Sequence, residues 1–374
     1  MNIVSSSRKI LPHLRPFAGL ILLAVAAFAA AMPLGNTGAA PEAIRLKIGS
    51  GYPVANNAWV RGAQEIFRPT VDRILARRGR YRIEWTQIYG PSFRGLGNVA
   101  DAVREGVVDL GLIIYPYEET RFFPHNFTFY APFATCDQVL VQRIAAEMHH
   151  RFPRLRTIAE ERLGQRWLGV MASSCYGMIA RFPWRGFREL KGRAIGAGAQ
   201  HILWLPGAGL DGVLAGITRA RASLESGRYD ALVASLDAVR RYSLAEPARH
   251  WIETGFGAVA PYALTMNLPR FRSLPREVQD AIVEAGRAWG SGSTALDQEL
   301  AEAIARRLRE QGVQLHEVPL QERIEWMNAM SNVPNDWAQE AIRRGYLFGP
   351  DLMRAYIGEL EAAGAKQLRR WRID

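Results

Sequence analysis

The chain has 374 residues, of which 48% are hydrophobic and 22% are charged, and its formal net charge is +11. This length and composition indicate a globular protein of two lobes or domains, and they exclude disordered and collagen-like chains. Its two cysteines form no CxxC pair and its seven histidines show no HExxH or HxH spacing. These patterns argue against zinc sites and iron–sulfur clusters.

Residues 1–31 have the pattern of a signal peptide. Basic residues precede an apolar run over 17–31, which ends in small alanines suited to cleavage. The run is short for a spanning helix, although an uncleaved membrane anchor stays an alternative. Residues 32–43 are predicted to form an unstructured neck. The mature protein is therefore predicted to be exported and not embedded in the membrane.

The mature chain begins with alternating strand and helix patterns. Alternating apolar and charged residues predict strands at 44–48 and 81–85. A near-continuous apolar run at 107–114 is typical of a buried parallel strand. Apolar residues at helical spacing predict helices over 59–75 and 93–103. The order β-α-β-α-β indicates an α/β lobe.

A second set of the same patterns follows further along the chain. The predicted elements are strands at 167–170, 194–197 and 229–234 and a helix at 199–205. The succession of helix end, glycine, two residues, aspartate and strand at 105–110 returns at 226–231. Two lobes with the same local order suggest a cleft between them.

The last third of the chain is predicted to be mainly helical. A strand at 263–268 precedes a long helix that begins near Ser273 and continues to about 311, with an interruption at 290–292. The further elements are a strand at 313–318 and helices at 322–344 and 351–368. We assign residues 44–170 and 258–295 to lobe I, and residues 171–257 and 296–374 to lobe II.

No enzyme signature stands out in the sequence. The segment around Cys175 lacks the first glycine of GxSxG and has no assignable histidine partner. The glycines at 196–198 lack the third glycine of a dinucleotide-binding turn, and no P-loop is present. We therefore predict no catalytic residue, metal or cofactor. Export would place Cys136 and Cys175 in an oxidising compartment, where a disulfide is permitted but not required.

Aromatic and amide side chains follow the predicted strands. Ligands of open α/β folds bind outside the carboxyl ends of the strands, and rings with polar tips suit a small-molecule pocket. The candidate residues are Tyr52, Asn57, Tyr89, Tyr115 and Tyr117 in lobe I, and Gln200 and Trp204 in lobe II.

Four motifs between Ile44 and about Leu320 resemble the solute-binding proteins of tripartite ATP-independent periplasmic (TRAP) transporters. They are Tyr89–Gly111 with its AVREGVVDLG segment, Pro132-Phe133, Glu189-Leu190-Lys191-Gly192, and Met266-Asn267 with the SLPREVQ segment at 273–279. The resemblance implies a periplasmic-binding-protein-like α/β fold with two lobes, a cleft between them and a long helix bracing both. It also implies delivery of an organic acid to TRAP-type membrane permease subunits without chemistry on the ligand.

The sequence departs from this family at two positions. Gly196 stands where the family has an arginine that clamps the ligand carboxylate, and Ser235 stands where it has an asparagine. Loss of a buried charge-assisted pair weakens carboxylate binding. We therefore expect a partly apolar or aromatic ligand held by rings, with Ser235 and Phe256 as further contacts and with any carboxylate meeting another arginine.

Alternatives from other classes remain at this stage. The chain could be an exported binding protein for a sensor, or an exported enzyme that uses Cys175. A basic surface protein for nucleic acid or anionic membrane is a third alternative. It is disfavoured because the arginines are scattered and usually lie near acidic residues, rather than in a stripe with aromatic platforms.

Overall fold

The computed structural model describes residues 40–374, apart from residues 56, 91–92, 94–97 and 206–208. The predicted signal peptide at 1–31 lies outside the described residues, as do residues 32–39 of the predicted neck. The neck was predicted too long, because the first strand already begins at Glu42.

In the described part of the chain, the strands form one mixed sheet. The strands are β1 (Glu42–Ser50), β2 (Tyr81–Tyr89), β3 (Leu110–Ile114), β4 (Gln165–Ala180), β5 (Ala194–Ala197), β6 (Asp211–Leu214), β7 (Ala231–Ala234), β8 (His250–Asn267) and β9 (Gln314–Glu317). Their spatial order is β2-β1-β3-β8-β4-β7-β5-β6, and β9 pairs with β8.

Helices cover this sheet, as the sequence patterns predict. They are α1 (Ala58–Gly62), α2 (Arg68–Arg78), α3 (Val99–Arg104), α4 (Gln138–Arg151), α5 (Pro153–Leu163), α6 (Ala220–Glu225), α7 (Leu236–Arg241), α8 (Leu268–Ser273), α9 (Arg276–Glu310), α10 (Leu320–Ala329), α11 (Val333–Arg343) and α12 (Gly349–Ala362). A π-helical turn over Ala63–Phe67 joins α1 to α2. The predicted α/β class is confirmed.

The sheet has two halves with the same local arrangement. In the first half, β1 runs parallel to both β2 and β3. In the second half, β5 runs parallel to both β6 and β7. The alternation of charged and apolar residues in β1 places Leu46 and Ile48 in the core and Arg45 and Lys47 in solvent.

The long strands β4 and β8 run antiparallel through both halves. The start of β4 pairs with the end of β8 in the first half, and the end of β4 pairs with the start of β8 in the second. The register between them shifts several times between Met171 and Met178, where the chain passes from one half to the other. Such bulges bend and twist strands. The sequence predicted only 167–170 and 263–268 as strand, and both strands extend much further.

Helix α9 contacts both halves of the molecule, as expected for a bracing helix. It packs against α1 and α2 from the first half and against α7 from the second. The predicted interruption at 290–292 is wrong, because α9 is continuous for 35 residues. Its glycines serve close packing: a Cβ at Gly290 would lie 2.4 Å from the carbonyl oxygen of Val170 in β4.

The C-terminal helices complete the fold. The helix predicted over 322–344 is divided into α10 and α11 at residues 330–332. Helices α11 and α12, which the sequence analysis assigns to lobe II, contact the 3₁₀ segment Phe123–Tyr130, and α12 also contacts α4; both partners lie in the predicted lobe I. These contacts join elements that were assigned to different lobes, so the predicted lobe boundaries stay a prediction. Among the described residues, no helix combines the length and the apolar character needed to cross a bilayer.

Candidate functional site

A cavity of about 250 Å³, here called the inner cavity, lies where the two halves of the sheet meet. From the first half it is lined by Tyr52, Ile114, Pro116, Tyr117, Pro261 and Tyr262. From the second half it is lined by Tyr176, Gly198, Ala199, Gln200, His201, Ala215, Gly216, Ile217, Leu232, Val233, Ala234, Ser235, Ala238, Arg241 and Tyr242.

The first-half wall is built from rings and apolar side chains. Tyr52 follows β1 and Tyr117 follows β3, and their hydroxyl oxygens are 3.4 Å apart. Tyr262, in β8, stacks on Trp59 with ring centroids 4.1 Å apart. Burial raises the pKa of Tyr52 and of Tyr262, so both phenols stay protonated at neutral pH. This wall therefore offers ring faces and neutral hydroxyl groups.

The second-half wall carries the cation of the cavity, Arg241. Strand β7 ends at Ala234, and the hydroxyl oxygen of Ser235 accepts a hydrogen bond from the backbone N–H of Ala238 at the start of α7. This short helix ends at Arg241, whose side chain is only 17% exposed. The Arg241 guanidinium lies 5.0 Å from the ring centre of Tyr52.

Asp237 holds two arginines at this end of α7. Its side chain is 8% exposed and pairs with Arg241 and, at 3.1 Å, with Arg240. Asp237 therefore holds the Arg241 guanidinium in place at the edge of the cavity.

Three side chains that line the cavity have buried nitrogen atoms for which the described residues provide no hydrogen-bond partner. They are Nε2 of Gln200, Nε2 of His201 and Nε of Arg241. The amide and the guanidinium nitrogens are donors only. Burial lowers the pKa of His201 to about 3, so its imidazole is neutral at physiological pH. All three nitrogens have almost no solvent-accessible surface, so they lie just behind the surface of the cavity.

A buried carboxyl group lies behind this wall, in helix α9. Asp297 accepts a hydrogen bond from the backbone N–H of Ser174 in β4 at 2.8 Å. Burial raises the pKa of Asp297 to about 6, against the opposing effects of that hydrogen bond and of the positive charge on Arg241. The charge of Asp297 therefore changes within a pH range that experiments can reach.

Of the nine predicted site residues, the structure brings four to the inner cavity: Tyr52, Tyr117, Gln200 and Ser235. They come from the ends of β1, β3, β5 and β7, in agreement with the expectation that strand ends meet. Asn57 lies instead in a neighbouring outer groove, and its amide donates to the carbonyl oxygens of Pro53 and Ala55.

The other predicted residues are not among those lining the cavity. Tyr115 is fully buried, and its hydroxyl accepts a hydrogen bond from the indole of Trp167 at 3.0 Å. Trp204 and Phe256 are also fully buried and pack against each other in the core. Tyr89 ends β2 with a buried hydroxyl beyond hydrogen-bonding reach of the other described residues. These large rings at strand ends therefore contribute to packing and do not line the cavity.

The position of Gly196 explains why no guanidinium is accommodated there. It is buried in β5, and a Cβ at this position would lie 3.0 Å from Cδ1 of Leu232 and 3.1 Å from the ring of Tyr229. Arg193 lies over the ring of Phe182 and donates to the carbonyl oxygen of Glu189. Neither residue supplies a cation to the inner cavity.

The alternative of an enzyme that uses Cys175 is wrong for the folded chain. Cys175 forms a disulfide with Cys136, with 4.9 Å between their Cα atoms. A sulfur atom in a disulfide is not a thiolate nucleophile.

Of the aromatic and polar side chains that line the cavity, sequence reasoning missed five: Tyr176, His201, Arg241, Tyr242 and Tyr262. A signal for Arg241 was present, since it ends the helix that is capped by the predicted residue Ser235, and Tyr242 follows it directly. Tyr176 and Tyr262 lie in β4 and β8, whose full length the sequence did not predict, and His201 follows the predicted residue Gln200.

Comparisons with known proteins agree with this architecture. Residues 95–340 match the sequence family described as bacterial extracellular solute-binding protein, family 7. A TRAP solute-binding protein from Rhodoferax ferrireducens, solved with copurified benzoate, is 18% identical and superposes with a TM-score of 0.72. That match covers 85% of this chain and 98% of the other.

Two further structures show the same fold. A marine metagenome TRAP solute-binding protein described as specific for aromatic acids, solved with 3-hydroxybenzoate, is 20% identical with a TM-score of 0.71, covering 86% of this chain and 99% of that one. A TRAP protein from Pseudomonas putida with bound D-glucuronate is 16% identical with a TM-score of 0.67, covering 86% and 98%. At these identities, the likeness establishes the two-lobed fold.

Proposed function

The chain belongs to family 7 of the bacterial extracellular solute-binding proteins, and we propose that its ligand is an aromatic or partly apolar monocarboxylate. The observation that carries this proposal is the Arg241 guanidinium, the cation among the described side chains that line a ring-rich cavity. A carboxylate is the strongest hydrogen-bond acceptor for a guanidinium.

The size and lining of the cavity favour a compact ligand. Its volume of about 250 Å³ lies at the small end for ligand sites. Five tyrosine rings and several aliphatic side chains leave few hydrogen-bonding groups for a polyhydroxylated acid. A ring-bearing acid would place its apolar body against the first-half wall and its carboxylate toward Arg241.

The lining of the cavity favours one carboxylate over two. Arg241 is the one cationic side chain among the described lining residues. A second carboxylate would be desolvated without a partner cation on the first-half wall. Structural neighbours solved with benzoate and with 3-hydroxybenzoate support the same class of ligand for this chain.

We place the protein in a TRAP transport system. In this proposal it is exported with cleavage of residues 1–31, binds its ligand in the periplasm and delivers it to a TRAP-type permease. The ligand would contact both halves, so binding would favour a closed arrangement. Genes for two membrane subunits beside this one would support the transport role. A sensor gene in their place would favour the alternative partner.

The ligand class is tested by calorimetry on the purified mature protein. Benzoate, 3-hydroxybenzoate and mandelate are compared with succinate, malate and D-glucuronate. Benzamide is the matched control, because it keeps the ring of benzoate and lacks its charge. We expect aromatic acids to bind and benzamide to bind at least about 30-fold more weakly than benzoate.

The opposite selectivity would overturn the proposal. Strong binding of succinate or malate without binding of aromatic acids would mean that a cation outside the inner cavity holds a second carboxylate. Equal binding of benzoate and benzamide would mean that Arg241 does not bind the carboxylate of the ligand.

A further inference from the structure

A second concave region, here called the basic groove, adjoins the inner cavity. Its volume is about 1080 Å³. Three side chains, Tyr52, Arg241 and Tyr242, line both spaces and therefore stand between them. The groove and the inner cavity therefore have a common wall, formed by these three side chains.

The groove is strongly positive. Its arginines are Arg240, Arg241, Arg249 and Arg307, and the carboxylate among its lining residues is that of Glu246. Glu246 is already paired with Arg221 at 2.5 Å. The groove is therefore short of negative charge on its own surface.

Two of these arginines lack a carboxylate partner among the residues that the structure describes. Arg249 donates to the backbone carbonyl oxygen of Gln311 at 3.1 Å, and Arg307 makes no ion pair within the described residues. The pKa of Arg240 is lowered by burial and, further, by the nearby positive charge of Arg307. Guanidinium groups held this close to one another create a potential that attracts anions.

We propose that the basic groove is the entrance of the binding site, where Arg249 and Arg307 bind an organic anion transiently before it passes Tyr52, Arg241 and Tyr242. The proposal rests on the proposed function in one respect, namely that the ligand is an acid. Charged concave surfaces raise the local concentration of oppositely charged solutes and their association rates. The groove would thus set how fast the ligand is captured, and the inner cavity would set which ligand is kept.

The first test measures anion accumulation without any organic ligand. A fluorescent dye is attached through a Gln311→Cys substitution, which is usable because both native cysteines are joined in a disulfide. Quenching by iodide is compared with quenching by neutral acrylamide. In the Arg249→Gln/Arg307→Gln variant, we expect the iodide quenching constant to fall at least about twofold at low ionic strength, with acrylamide quenching unchanged.

A matched variant separates the groove from the overall charge. Arg77→Gln/Arg78→Gln removes the same charge from exposed residues of α2 that line neither space. This variant should quench like the native protein. Equal iodide quenching in the native protein, the groove variant and the α2 variant would overturn the proposal.

The second test follows capture of benzoate by stopped-flow fluorescence. In the groove variant the association rate constant should fall about three- to tenfold at low ionic strength and recover at high salt, while the dissociation rate constant changes less than twofold. Reduced iodide quenching with an unchanged association rate would overturn the role as entrance. If benzoate does not bind the native protein, the proposed ligand class fails, and the iodide result alone decides whether the groove collects anions.

Discussion

The two walls of the inner cavity differ in chemistry although they come from equivalent positions in the two halves of the sheet. The first-half wall, after β1 and β3, presents tyrosine rings and prolines. The second-half wall, after β5 and β7, adds Gln200, His201, Ser235 and Arg241 to its rings Tyr176 and Tyr242. Under the proposed function, the first wall would recognise the shape of the ligand and the second would orient its acid group.

The difference follows from what stands behind each wall. Tyr262 is backed by the stacked ring of Trp59, which suits close packing of apolar surface. Arg241 is backed by the carboxylate of Asp237, which keeps the guanidinium in place at the edge of the cavity. Shape recognition tolerates related ligands, whereas loss of the charge of Arg241 should weaken binding strongly. The predictions below test this division, from the largest expected effect to the smallest.

The largest expected effect is on the stability of the fold that carries both walls. The disulfide Cys136–Cys175 closes a loop with a sequence separation of 39 and joins the segment before α4 to the middle of β4. Replacing both cysteines by alanine should lower the free energy of unfolding by about 3 to 4 kcal/mol. Chemical denaturation measures this loss. Ligand affinity measured well below the melting temperature should change less than threefold, since neither cysteine lines the inner cavity. A complete loss of binding in a folded variant would tie recognition to the disulfide.

Removing the positive charge of Arg241 should weaken ligand binding by the second-half wall. Arg241→Gln should raise the Kd for benzoate roughly 100-fold, about 3 kcal/mol, because a charge-assisted hydrogen bond is lost. The fold should survive, since Asp237 keeps Arg240 as a partner at 3.1 Å. Calorimetry compares the variant with Arg193→Gln, a second-half arginine outside the inner cavity. Equal weakening of benzoate and benzamide would show that Arg241 acts through packing and not through charge.

The buried carboxyl of Asp297 should make the stability of the protein depend on pH. Its pKa is raised from 3.8 to about 6, so the native state binds the proton more tightly than the unfolded chain. The resulting stabilisation is complete below about pH 4 and is lost as the pH rises through about 6. Asp297→Asn removes this dependence and can keep the acceptor for the Ser174 N–H. Urea denaturation should show the difference between variant and native protein shifting by about 2 to 3 kcal/mol from pH 4 to pH 7. Parallel profiles for the two proteins would contradict this assignment.

The smallest effect belongs to the first-half wall. Tyr117→Leu removes one ring and its hydroxyl from the cavity, while Tyr52 and Tyr262 remain. Aromatic contacts contribute about 0.5 to 1.5 kcal/mol beyond area burial, so the Kd should rise about two- to tenfold. The loss should be alike for benzoate and benzamide, because no charge is involved. If instead Tyr117→Leu weakens benzoate far more than benzamide, the division between the two walls is wrong.

Much of the fold could be predicted from the sequence. Alternating and continuous apolar patterns predicted β1, β2, β5 and β9 to within a few residues, since local periodicity is what buries one face of a strand. The long strands β4 and β8 were underestimated. Their bulges interrupt the alternation, and the residues that pair between them lie between 70 (Ala180 and His250) and 102 (Gln165 and Asn267) positions apart in the chain.

The candidate site was predictable in location and not in composition. The sequence by itself determined that strand ends would meet and that polar-tipped rings would be available there, and its resemblance to the TRAP family implied that Gly196 replaces an arginine. The tertiary structure decided that Trp204, Tyr115 and Phe256 pack in the core and that Arg241 reaches the cavity. The physical reason is that periodicity encodes which face of an element is buried, whereas the partner against which it is buried depends on contacts between distant parts of the chain.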